Sequence, residues 1–301
     1  MGDGTSLAIA PPRGATIVPP FDGGWLAPDG GREPFIAYVD VDPCVNWSDE
    51  LEQFHEESTR THFIDQWTRS SILDRLGSLP AAPVIADVGC STGHLLEDLQ
   101  GAHPAATLVG IDLVAAGLRK AHLATPRARL LRADACSLPL ADRSLDAIVS
   151  ANLLEHVDDD RRALTEMARV LRPGARTVIV VPAGPSTYDY YDRFLGHERR
   201  YARGKLAGKA RAAGLEVVEE VAIGALLFGP FWLVKRRNRL LHSNLQGTAL
   251  ERRVARDIAS TKDSRAGRAV WKVEEGLRRR GIALPFGIRW LLVARRPEDR
   301  S

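Results

Sequence analysis

The sequence predicts an α/β domain. It is a mostly parallel sheet of seven strands with helices on both faces, plus a helical N-terminal segment and a late helical insertion. Three observations carry the prediction. From residue 83 onward, short apolar runs alternate with longer amphipathic runs of helical period. The first apolar run breaks into a Gly-rich turn that opens a helix. The second ends in an acid, Asp112, 19 residues after Gly93.

Taken in order, residues 1–46 are rich in Gly, Pro and Asp and read as an extended or partly disordered lead-in. Residues 47–79 read as a helical lid. Ser48-Asp49-Glu50-Leu51 has the form of a capped start, and Phe54, Phe63, Ile64, Trp67, Ile72 and Leu73 follow at helical spacing. Gly77 and Pro80 end that region. The core, 80–227, holds strands at 83–88, 107–112, 128–133, 145–151, 176–181 and 215–221. Helices are expected at 92–100, 114–123, 159–171 and 205–213, with a polar, Tyr-rich loop over 183–201. Residues 228–285 form a basic insertion, helical in parts, and 286–301 hold a closing strand at 287–294 and a tail.

Bulk properties exclude several classes. Hydrophobic residues are 45% and charged residues 26% of 301, as in ordinary soluble globular chains. A net charge of +3 with no concentrated basic face argues against a nucleic-acid partner. Cys44, Cys90 and Cys136 are too few and too scattered for a disulfide framework or a zinc site, so no metal is expected. The early prolines interrupt any signal-like apolar run, which points to the cytoplasm. Residues 221–234 are apolar but too short, and too broken by Gly224, Gly229 and Pro230, to be an integral membrane segment. The chain is expected to act as a monomer or homodimer.

The segment 84–99, VIADVGCSTGHLLEDL, is the most informative. Gly89 and Gly93 allow a tight turn and a close ligand approach beyond the strand ends. Asp112, ending the next strand, can accept hydrogen bonds from two ribose hydroxyls. A nicotinamide dinucleotide is disfavoured, because Ser91 and His94 stand where its fingerprint needs glycines. Gly89-Cys90-Ser91-Thr92-Gly93 also fits a hydrolase nucleophile elbow, but Asp87 and Asp112 have no role in one.

This segment resembles motif I of class I S-adenosylmethionine-dependent methyltransferases, in the small-molecule branch, whose fold is Rossmann-like. The segments 108–112, 130–139, 145–157 and 163–174 continue the resemblance in order, over roughly residues 80–223. Ser91 departs from the family, which usually has Gly there. The resemblance implies S-adenosyl-L-methionine as cofactor, held by Asp87, Gly89, Cys90, Ser91, Gly93, Asp112, Leu113, Asp134, Ala135 and Asn152. It implies methyl transfer to a small-molecule acceptor, with oxygen as the expected atom and natural-product biosynthesis as the setting. A non-catalytic cofactor-binding scaffold is the alternative from another class.

The resemblance places the acceptor near loop 183–201. His197 is the leading general base, since imidazole titrates near neutral pH. Tyr191 is a second catalytic candidate, and Tyr188, Tyr190, Arg199 and Arg200 are candidate substrate contacts. The plainer reading of Arg199 ties the loop to the next helix. His156 beside Glu155 reads as a packed turn residue rather than a base or ligand. His55, Phe63 and Trp67 are lid candidates. Residues 221–239 run apolar, then basic: Phe228, Phe231, Trp232 and Leu233, then Lys235, Arg236, Arg237 and Arg239. They read as a lid helix with solvated charges. The alternative is a peripheral element on an anionic membrane, suited to a lipid- or polysaccharide-linked acceptor.

Overall fold

The computed structural model describes residues 7–39, 60–242, 246–261 and 264–299. The expected cap at Ser48, the lid candidate His55, Phe54 and Cys44 lie outside the described residues. In chain order the strands are β1 (Trp25–Leu26), β2 (Arg32–Glu33), β3 (Phe35–Ala37), β4 (Val84–Val88), β5 (Thr107–Asp112) and β6 (Arg129–Arg132). Then come β7 (Leu145–Ala151), β8 (Leu171–Pro182), β9 (Glu216–Ile223) and β10 (Arg289–Arg295). The core helices are α1 (Phe63–Leu73), α2 (His94–Ala102), α3 (Ala115–Ala124) and α4 (Asp160–Val170). Short α5 (Tyr190–Phe194) and α6 (Lys205–Ala212) follow. The insertion supplies α7 (Phe228–His242), α8 (Gly247–Thr261) and α9 (Arg265–Arg279).

The main sheet has eight strands, in the order β3-β6-β5-β4-β7-β8-β10-β9. The expectation of seven is corrected by β3, a three-residue edge strand that runs parallel to β6. It comes from the segment read as an extended lead-in. Trp25 helps hold that segment down, its indole N–H donating to the Leu130 carbonyl at 3.0 Å. Only β10 runs against its neighbours β8 and β9.

All five residues of β4 are buried, as a central strand covered on both faces requires. Val84, Ala86 and Val88 face one core with α4 and α6 residues such as Leu164 and Leu206. Ile85 faces the other, among Ile72, Leu96 and Leu118 from α1, α2 and α3. The strand order reverses at β4, because β5 lies on one side and β7 on the other, both parallel to it. Such a switch point opens a crevice at the carboxyl ends of the strands. The loops after β4, β5, β6 and β7 all meet there.

Gly93 makes α2 and α3 pack closely. Its φ is +85°, and a Cβ there would sit 2.9 Å from the Ala121 Cβ. Gly93→Ala is expected to lower stability by about 2–4 kcal/mol, the sum of left-handed strain and overpacking. Urea unfolding followed by circular dichroism checks this.

Candidate active site

A cavity of about 590 Å³ opens at the switch point. Its cofactor half is built from strand ends. Gly89 and Ser91 come from the turn after β4, Asp112 and Leu113 from the end of β5, Asp134 and Ala135 from the turn after β6, and Asn152 from the turn after β7. Among the described residues, three non-glycines have positive φ, and two of them, Ser91 at 47° and Asn152 at 54°, line this cavity. Backbone strain gathered at one site is what a ligand-binding turn shows. Ser91 occupies a left-handed position that glycine would fill more easily.

The Asp112 carboxylate is fixed before any ligand arrives. Oδ2 accepts from the Ser91 N–H at 2.8 Å and Oδ1 from the Val114 N–H at 2.9 Å. Burial raises its pKa, and those N–H donors oppose the rise. Asp134 Oδ1 accepts from the Cys136 N–H at 2.8 Å, which closes the turn after β6. Gly89 has φ +85°, and a Cβ would fall 2.9 Å from the Leu153 Cβ. Only glycine lets the turn after β4 pass this close to Leu153 in the turn after β7.

Three expected cofactor contacts do not line the cavity. Asp87 is buried within β4, where burial and the Asp112 charge push its carboxyl up to about 8. Cys90 is buried and packs in the core on the α2 side. Gly93 faces Ala121, as described.

The acceptor half is walled by Phe63 and Ile64 of α1, Leu195, Leu227, Phe231 and Val234, and Ile288. Polar groups converge within it. Of the acceptor-side candidates, His197, Tyr191 and Arg200 line the cavity. His197 Nδ1 lies 2.8 Å from Asp192 Oδ1, and the Arg200 Nε donates to the same oxygen at 2.6 Å. Burial opposes the Asp192 charge. The His197 hydrogen bond, with Arg200 and Lys235, overrides it and holds the carboxyl well below the usual range. Burial raises the Tyr191 phenol pKa, so the hydroxyl stays protonated.

Tyr188, Tyr190 and Arg199 do not line the cavity. The Tyr188 hydroxyl donates to the His197 carbonyl at 2.7 Å and so braces the base from behind. The Tyr190 hydroxyl bonds to Asp257 and accepts from Arg253, tying the loop to α8. Arg199 donates to the Val157 and Asp158 carbonyls at 2.7 and 3.1 Å and pairs with Asp160. Its role here is the loop tie. Of the lid candidates, Phe63 reaches the cavity, while Trp67 stacks on Trp271 of α9 at 5.9 Å.

Sequence reading missed a buried ionic network. Lys235 of α7, grouped above with solvated charges, is buried, and its ammonium donates to Asp189 Oδ1 at 2.7 Å. Asn238 donates to Asp189 Oδ2 at 3.2 Å. Together they clamp the insertion onto the loop that carries His197. The signal was Lys235 and Asn238, three apart on one helix face, but their partner lies 46 residues from Lys235.

Glu155 was noted only as a neighbour of His156. It is fully buried, and neither carboxylate oxygen has a hydrogen-bond partner. Donor atoms of Glu155, His156 and His197 lie within 4.8 Å of one another, and the two imidazoles meet edge-on at 4.7 Å. One carboxylate and two imidazoles can hold a divalent cation. The same trio can also share a proton, since Asp192 already fixes Nδ1 of His197.

Burial pushes the Glu155 carboxyl up to about 7, against the opposing His197 charge. The folded protein therefore binds this proton more tightly than the unfolded chain. Glu155's contribution to stability is expected to be lost as pH rises from about 4.5 to about 7, and Glu155→Gln to remove that part of the slope while leaving the part due to Asp87. Above pH 7 the variant is expected to be more stable by on the order of 2–3 kcal/mol. Urea midpoints of both proteins at acid and neutral pH check the sign.

The fold is an α/β domain with one cavity that runs from the strand ends to the α1 and α7 side. Residues 86–179 match the family model "Methyltransferase domain". The chain is 36% identical over 112 residues to the O-methyltransferase rstn1 of Aspergillus nomiae, covering 35% of this chain and 49% of the relative. It is 34% identical over 119 residues to a demethylmenaquinone methyltransferase of Thermus thermophilus, covering 38% and 53%. These matches span about half the length of the curated relatives. The Haemonchus contortus phosphoethanolamine N-methyltransferase 2, solved with S-adenosyl-L-methionine, superposes with TM-score 0.58 at 16% identity, over 86% of this chain and 61% of that one. Residues 86–179 thus resemble a methyltransferase domain, and the fold is that of the solved S-adenosylmethionine-dependent methyltransferases. Among the described residues no helix is long and apolar enough to cross a membrane.

Proposed function

We propose that the protein transfers a methyl group from S-adenosyl-L-methionine to an oxygen of a small-molecule acceptor, in the biosynthesis of a natural product. The observation that supports this best is one cavity with Asp112 at its cofactor end and the His197–Asp192 pair at its acceptor end. S-adenosylmethionine, when bound, supplies a sulfonium methyl open to in-line displacement. Asp112 would hold the ribose hydroxyls, Asp134 and Ala135 would meet the adenine, and Gly89, Ser91, Leu113 and Asn152 would shape the rest of the cradle. Asp192 binds Nδ1 of His197 and leaves Nε2 to take the acceptor's hydroxyl proton. Tyr191 and Arg200 orient the acceptor, and the walls of Phe63, Leu195 and Phe231 exclude water.

The core supplies the cofactor cradle, the base and part of the acceptor wall, and helices α1 and α7 supply Phe63, Ile64, Phe231 and Val234. Radiolabelled methyl transfer onto a panel of hydroxylated small molecules tests the reading. Labelled methyl ethers are expected. Label appearing only on carbon or nitrogen overturns the choice of oxygen. Cofactor binding with no transfer to any acceptor favours a scaffold.

A further inference from the structure

Helix α7 is built inside out. Beside Phe231, which lines the cavity, its inward positions hold Lys235 and Asn238, 6% and 3% exposed, both engaged with Asp189. Its outward positions hold Leu233, Leu240 and Leu241, 63%, 75% and 61% exposed. At about 100° per residue these leucines share one face with Arg237, flanked by Arg236. A helix on a water-soluble surface shows the reverse pattern. The register is not free to turn, because the Lys235–Asp189 pair is buried and rotating it outward would strand the Asp189 carboxylate.

The charge pattern says what this face meets. Residues 221–250 contain no Asp or Glu, yet include Lys235, Arg236, Arg237 and Arg239. With Lys235 buried, the three arginines are exposed. A second copy of the chain would set arginine against arginine. A nucleic acid would meet the arginines and leave three leucines in water. An anionic bilayer satisfies both, with phosphates for the guanidiniums and an acyl boundary for the leucines. The face also runs into the cavity, since Val234 is both exposed and a lining residue.

We infer that the outer face of α7 docks on an anionic lipid surface, with Leu233, Leu240 and Leu241 entering the headgroup boundary and Arg236 and Arg237 meeting phosphates. The docked cavity mouth would then open toward the bilayer and admit an amphiphilic acceptor. The acceptor part rests on the proposed methyl transfer, but the docking does not.

The test is co-sedimentation of the full chain with vesicles of phosphatidylcholine alone, or of two parts phosphatidylcholine to one part phosphatidylglycerol, at low salt. The protein is expected to sediment with the mixed vesicles, and about tenfold less with the neutral ones. Leu233→Glu with Leu240→Glu is expected to weaken that binding about tenfold or more. Calorimetric binding of S-adenosylhomocysteine is expected to be unchanged, since neither residue lines the cavity. Arg236→Gln with Arg237→Gln is expected to remove the preference for anionic vesicles. Wild-type protein left in the supernatant with both vesicles overturns the inference, as does equal sedimentation of the leucine variant. A dimer in gel filtration that the leucine variant splits also overturns it, in favour of a second copy. Failure of S-adenosylhomocysteine to bind even wild type would strike the cofactor reading and leave the docking result standing.

Discussion

Asp112→Ala is expected to weaken S-adenosylhomocysteine binding by about 10²–10⁴-fold, the loss of two charge-assisted hydrogen bonds of about 1.5–3 kcal/mol each. The size follows from geometry. The carboxylate is held by the Ser91 and Val114 N–H groups, so little ordering remains when ribose hydroxyls arrive. The same substitution frees the Ser91 N–H and loosens a turn already at φ 47°. Asp112→Asn separates the two contributions. It can keep an accepting oxygen but removes the charge, and is expected to fall between wild type and alanine. Equilibrium dialysis with labelled cofactor measures all three.

His197→Ala is expected to lower kcat by about 10²–10⁴-fold, the usual range for a lost general base. The cofactor KM is expected to change little, because the turn after β4 and the end of β5 are untouched. Asp192→Asn is a poor substitute test. That carboxylate also pairs with Arg200 and lies 3.7 Å from the Lys235 ammonium, so its loss strands buried cations and destabilises the fold. Tyr191→Phe is expected to cost less than His197→Ala, about tenfold in kcat, since it removes an orienting hydrogen bond and not the base. Parallel rate and cofactor-affinity measurements on a turned-over acceptor check both. A His197→Ala enzyme within about threefold of wild type would remove histidine from the proton transfer.

The cofactor half was legible because its chemistry is local in the chain. A buried strand, a turn and a helix specify Gly89 and Ser91, and a strand end specifies Asp112. Each rests on a short continuous run, 84–99 for the first and 107–112 for the second, within reach of pattern reasoning. The acceptor half was not, because there identity depends on partners distant in sequence. Arg199 and Arg200 are adjacent and chemically alike. Yet Arg199 binds the carbonyls of Val157 and Asp158 outside the cavity, while Arg200 lines it and pairs with the buried Asp192 behind. Lys235 stands in a run of basic residues, where Asn238 three positions on is the one local sign that it turns inward, and its partner Asp189 is 46 residues away. Strand β3 escaped for another reason. Three residues of a Pro- and Gly-rich segment have no period to read, and they become a strand only by pairing with β6. His197 was readable as a residue type, but its orientation by Asp192 required the short helix α5 to bring the two together.

The most direct test of the account is a crystal structure of the protein with S-adenosylhomocysteine. The account places both ribose hydroxyls on the Asp112 carboxylate, the adenine beside Asp134 and Ala135, and the sulfur facing the half of the cavity that holds His197. A nucleoside bound away from Asp112, or a sulfur turned from His197, would contradict it.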